Sequence, residues 1–139
     1  MKTSEIIYTG ELRTKATHLR SGEVIITDAP IDNQGKGASF SPTDLAATSL
    51  GSCMLTVLGI AAGGRNIDLG KIRVELLKVM AEAPRRISEI QVHLMFENDF
   101  DEDTKRVLEQ IALNCPVAKS LHPDISQKVT FDYGIASHP

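Results

Sequence analysis

Residues 41 to 54, SPTDLAATSLGSCM, decide the fold. Ser41 followed by Pro42 suits a helix N-cap with proline at the first helical position, and Asp44 adds a negative charge to the first turn. A helix therefore starts here and runs through TDLAATSLGSCMLTVLGIAAGG, with Gly63 and Gly64 as its stop. Residues 45 to 64 carry no charge, which is long enough to raise a membrane-spanning reading. Thr48, Ser49, Ser52 and Thr56, with Gly51 and Gly59, make the run too polar for that. A helix apolar on nearly every face is more simply a central helix wrapped by protein. It also carries Cys53, whose only companion, Cys115, lies 62 positions on in ALNCPVAKSLHP.

Upstream, EIIYTGELRTKATHLR mixes β-branched residues with alternating charges, and GEVIITDAP resumes the pattern after Ser21 and Gly22. Two or three antiparallel strands open the chain. PIDNQGKGASFSP then predicts a loop of about a dozen residues, long enough to suspect function, without the spacing of a phosphate-binding loop. Downstream, residues 72 to 80 and 87 to 96 alternate around Ala83 and Pro84, a long hairpin. DEDTKRVLEQIALNC spaces Val107, Ile111 and Leu113 helically after an acidic start. Pro116 breaks that helix and opens a short third one, PVAKSLHP, before QKVTFDYGIA closes as a strand. The order β-β-β-α-β-β-α-α-β is α+β, and residues 1–139 are expected to form a single domain without internal repeats.

With 42% hydrophobic and 24% charged residues, the composition is that of an ordinary globular protein. A net charge of -3 and 4% aromatics speak against a nucleic-acid partner. Charges break every apolar run of MKTSEIIYTGELRTK, which excludes the apolar core of a secretory signal. A cytoplasmic location is the expectation, with no membrane contact, and there thiols stay reduced unless chemistry oxidises them.

A cysteine on an apolar helix is usually a small hydrophobe. Zinc is poorly supported, because neither cysteine has a second ligand at metal spacing and His18, His93, His122 and His138 are scattered. Chemistry at Cys53 requires a thiolate, yet a cysteine some three turns into a helix gains little from the helix dipole. Arg65 is 12 residues further along, about 18 Å of helix, and cannot supply the positive charge within one protomer. An arginine from another element is needed. Cys115, ahead of Pro116 at a helix N-terminus, is by these arguments the better nucleophile.

SPTDLAATSLGSCMLTVL, followed about sixty residues later by CPVAKSL, resembles the OsmC/Ohr family of osmotically induced and organic-hydroperoxide-resistance proteins, and a less characterised OsmC-like branch of it in particular. The order of strands and helices matches along essentially the whole chain. The resemblance implies an OsmC-like fold, with antiparallel sheets around a long central helix in an intertwined homodimer. Carried over by position, Cys53 corresponds to the peroxidatic cysteine and Cys115 to the resolving cysteine, which reverses the preference drawn from helix position. The family's catalytic arginine precedes a strand in an Arg-x-Gly turn, and Arg20-Ser21-Gly22 in LRSGEVIITD makes Arg20 the candidate cation. An arginine at a strand end is otherwise simply solvated. The best-characterised members carry a glutamate directly after the helix-start proline, where this chain has Thr43. Asp44, one position later, is the candidate acid, and a one-residue step turns a side chain by about 100° around the helix. Asp44 thus reads either as the arginine's anchor or as an N-terminal cap charge.

The activity implied is thiol-dependent reduction of a small-molecule peroxide through a Cys53 sulfenic acid that Cys115 resolves to a disulfide. A dithiol reductant of the lipoyl type then resets the pair, with no cofactor and no metal. The apolar MLTVL after Cys53 favours organic over hydrogen peroxide. The alternatives are a non-catalytic dimer and a redox sensor whose cysteine is weakly activated.

Overall fold

The computed structural model describes residues 1–135; His138 and Ala136, the last residue expected in the closing strand, lie outside them. The chain divides into two compact units, Met1–Ala46 and Ala47–Pro139.

The first unit is an antiparallel sheet in the order β1 (Ser4–Gly10), β2 (Arg13–His18), β3 (Val24–Asp28). Gly10 pairs with Arg13, so Glu11 and Leu12 alone make the turn, both at positive φ (56° and 65°), as a two-residue hairpin turn of this hand requires. Register places Ile6, Ala16 and Ile25 side by side on one face, and Ile7, Lys15 and Ile26 on the other. Apolar side chains therefore stand on both faces, and Ile6 and Tyr8 are each 65% exposed. The loop after β3, which includes a 3₁₀ turn at Ile31–Asn33, is tied down at both ends. Asp28 accepts the Ala38 N–H through Oδ2 at 3.0 Å, and its own N–H donates to the Phe40 carbonyl at 3.1 Å.

Helix α1 (Pro42–Arg65) begins in the first unit and continues into the second. Its start is where the sequence puts it, and its end passes the two glycines by one residue to Arg65, whose Nη1 reaches the Ala61 carbonyl at 3.5 Å. By length and composition it is apolar enough to cross a membrane, with a mean hydropathy of 1.8 over its best window. In the second unit its Leu50, Met54, Leu58 and Ala62 are buried, the spacing of one helix face packed into a core. Gly51 lets that face approach β4 (Ile72–Ala81): a Cβ there would stand 3.3 Å from Val74 and 3.4 Å from Leu76. The other wall of the core is β5 (Arg86–Phe96), through Ile90, Val92, Leu94 and Phe96. Leu108 and Ala112 of α2 (Glu102–Leu113) close it.

After α2 come α3 (Pro116–Ser120) and β6 (Ser126–Asp132). The second sheet has the order β4-β5-β6, with β4 antiparallel and β6 parallel to β5. The expected antiparallel pairing holds for β1-β2-β3 and for β4-β5, and is corrected only at the β5-β6 pair. The two helices between β5 and β6 carry the chain back to the starting end of β5, and a strand reached by such a crossover runs parallel.

Candidate active site

Helix α1 is launched by a reciprocal cap. Ser41 Oγ accepts the Asp44 N–H at 3.0 Å, Asp44 Oδ2 accepts the Ser41 N–H at 3.0 Å, and the Ser41 carbonyl accepts Leu45 N–H at 2.9 Å. This is a capping box with aspartate in the usual glutamate position. Of the two roles open to Asp44 from sequence, the cap is the one its hydrogen bonds with Ser41 display. Thr43, at the position of the family glutamate, meets Ser41 Oγ through its own hydroxyl at 3.2 Å.

Farther along α1, Cys53 is half-buried and packs with Val57 against the core of the second unit. Cys115 belongs to that core, only 1% exposed. It is the N-cap of α3, its extended backbone (φ -64°, ψ 155°) preceding proline as expected, and its Sγ accepts the Ala118 N–H at 3.4 Å. The two cysteines, 62 positions apart in sequence, are neighbours in the second unit: Cys53 packs against the core that contains Cys115, and its side chain acts on the Cys115 thiol. Burial raises the Cys115 thiol pKa above its ordinary value, and the Cys53 sulfur raises it further. The Ala118 and Val117 N–H groups pull the other way without cancelling the rise. Helix position alone made Cys115 the better nucleophile. Burial outweighs the terminus of a five-residue helix, so Cys115 holds its proton.

Arg20 lies in the first unit, exposed, in the turn between β2 and β3. It makes no hydrogen bond or ion pair with any described residue, Asp44 and Glu23 included. Gly22 takes φ +80°, the left-handed conformation that explains glycine after Arg-x. The second unit therefore brings Cys53 and Cys115 together, while the first holds Arg20 and Asp44 without joining them.

Two features were missed in the sequence. Lys78 is a half-buried cation on the inner face of β4, in register with buried Ile90. The alternation of Ile72, Val74, Leu76 and Lys78 in IRVELLKVMA would have shown it. Gln127 of β6 donates to the Ala118 carbonyl at 3.1 Å and so steadies the short helix that presents Cys115. Among the described residues no group of three or more His, Cys, Asp or Glu side chains could hold a metal ion. An open groove of about 360 Å³ runs beside α1, lined by Thr48, Ser52, Thr56, Val74 and Leu76, and neither cysteine lines it.

Residues 35–130 match the family model of OsmC-like proteins. A crystal structure from Psychrobacter arcticus, provisionally described as an osmotic stress induced and detoxification response protein, is 55% identical with a TM-score of 0.91. That match covers 94% of this chain and 96% of the other. The organic hydroperoxide resistance protein OsmC of Legionella pneumophila shares the fold at 14% identity and TM-score 0.75, over 95% of this chain and 98% of its own. An organic hydroperoxide resistance protein of Elizabethkingia anophelis, with thiocyanate bound, does so at 16% identity and TM-score 0.75, over 96% and 97%. No curated protein matches.

Proposed function

Because this chain belongs to the OsmC-like family, we propose that it is a thiol-dependent peroxidase that reduces organic hydroperoxides through Cys53 and Cys115. The placing of a half-buried cysteine beside a buried, proton-holding one in the same core carries this reading.

The Cys53 thiolate attacks the distal peroxide oxygen, and the O–O bond breaks. The sulfur becomes a sulfenic acid, and the alkoxide leaves to be protonated as alcohol. Cys115 then attacks the Cys53 sulfur; its proton goes with the departing hydroxide as water, and a disulfide remains. A thiol that holds its proton until the sulfenic acid forms does not compete for the first step. A dithiol of the lipoyl type returns the pair to thiols, a supply that suits a cytoplasmic location. Arg20 is the cation that stabilises the Cys53 thiolate and orients the peroxide; its guanidinium is exposed and without a partner among the described residues, and so available for the task.

The working form is a homodimer. The first sheet shows isoleucines on both faces, and α1 carries an open groove, apolar surface that a second copy would cover. Sedimentation showing a stable folded monomer at micromolar concentration would remove this part of the reading.

The capping of α1 by Asp44 favours a second reading, a redox sensor with a weakly activated cysteine. Peroxide consumption by the purified protein separates the cases. Sustained turnover with a dithiol supports the peroxidase, one equivalent per site supports the sensor, and no consumption supports a non-catalytic dimer.

A further inference from the structure

The turn that presents Arg20 is closed at its base by the backbone. His18 N–H donates to the Glu23 carbonyl at 2.8 Å, Gly22 N–H donates to the His18 carbonyl at 2.7 Å, and Leu19 N–H reaches Thr3 at 3.1 Å. Side chains add a second layer. His18 Nδ1 and Ser21 Oγ are 2.6 Å apart, and the same Ser21 Oγ accepts the Glu23 N–H at 3.1 Å. One hydroxyl thus ties the residue two before Arg20 to the residue three after it. Among the described residues the arginine side chain at the apex has no hydrogen-bond or ion-pair partner.

We infer that His18 and Ser21 are positioning residues for Arg20, acting by fixing the turn rather than by touching substrate. The inference rests on the proposed role of Arg20. A cation on a long side chain stabilises a thiolate only where its backbone holds it within a fraction of an ångström of the working geometry, and a solvated turn without such a clamp samples many geometries. The His18–Ser21 bond is the side-chain contact that spans Arg20. Family resemblance assigns neither residue a part.

The test is a double-mutant cycle on the full-length protein. His18→Leu and Ser21→Ala are each made alone and with Arg20→Ala, with His18→Asn as the rescue because its amide oxygen can take the place of Nδ1. Two quantities are read: turnover of tert-butyl hydroperoxide with dihydrolipoamide, and the pH profile of Cys53 alkylation by iodoacetamide in a Cys115→Ser background. His18→Leu and Ser21→Ala should each slow turnover by about 3- to 10-fold, the rate equivalent of one hydrogen bond. Both should move the alkylation inflection in the same direction as Arg20→Ala. Neither should have a further effect once Arg20 is alanine, and His18→Asn should recover most of the loss. Ser21→Ala removes a single oxygen from an exposed turn, so it stands as the measurement if His18→Leu misfolds. Wild-type rates in both single variants beside a slow Arg20→Ala would overturn the positioning role alone, as would losses that persist in the Arg20→Ala background. Wild-type rates in Arg20→Ala would overturn the role of Arg20 itself, and the clamp with it.

Discussion

Oxidation of the Cys53–Cys115 pair should stabilise the fold, by an amount the chain length sets. The two cysteines are already neighbours inside the packed second unit, so a bond between them is expected to ask for little backbone movement. In the unfolded chain the same bond closes a loop of 62 positions. Chain-entropy arguments put the resulting loss of unfolded-state freedom at about 4 kcal/mol for a loop of this length. Native-state strain subtracts from that figure, so a gain of about 2 to 4 kcal/mol is expected. With a urea slope of roughly 2 kcal/mol per molar, the midpoint should rise by about 1 to 2 M. The assay is urea unfolding of peroxide-oxidised and reduced protein at equal protomer concentration, with Cys115→Ser treated identically as the control that cannot form the link. Equal or lower stability of the oxidised form would refute the reasoning: the sulfurs would then have to leave their packed positions to bond, and the pair would not be poised.

Replacing Cys115 by serine should let sulfenic and then sulfinic acid accumulate at Cys53 after peroxide, read by intact mass; only unmodified Cys53 would count against its reactivity. Asp44→Asn should lower stability by about 0.3 to 1 kcal/mol and leave turnover unchanged if Asp44 serves the cap, whereas loss of turnover with intact stability would make it the arginine's anchor. Thr43→Glu should raise turnover if that position lacks a needed acid. Asp101, the N-cap of α2, accepts the Thr104 N–H at 2.8 Å, and that bond lowers its carboxyl pKa below the usual carboxylate range. Its contribution is fully present above the unfolded carboxylate value of about 3.9 and is lost as pH falls through the lower folded value. The stability gap between wild type and Asp101→Ala should therefore be constant at neutral pH and narrow in acid; a gap independent of pH would show that the charge plays no part.

The residues that speak locally were the ones sequence could place. Ser41 and Pro42 announce the start of α1 because capping is a matter of three or four consecutive residues, and the alternation on either side of Ala83–Pro84 announces a hairpin for the same reason. The family motif named Cys53 and Cys115 as a pair across 62 positions, which spacing alone could not have done. What stayed hidden depends on distant segments. The parallel course of β6 follows from where α2 and α3 deliver the chain. Burial of Cys115 follows from the packing of α1 and β5 around it, and it inverted a judgement based on helix position. Asp44 was legible as an acid in a first turn, but its reciprocal bond with Ser41 needed coordinates.

The parallel seating of β6 sets the last described strand, made long after Cys53, beside β5, the middle strand of the second sheet. Cys53 leaves the ribosome early, on a helix that follows the first hairpins, whereas the Gln127 bond that steadies the helix capped by Cys115 forms only once β6 has been made. On the proposed mechanism, a nascent chain would until then hold the peroxide-reactive thiol without a settled resolving partner. Peroxide arriving in this interval would, on that mechanism, oxidise Cys53 before Cys115 is set to resolve it, which would make freshly made chains the most vulnerable ones in the pool.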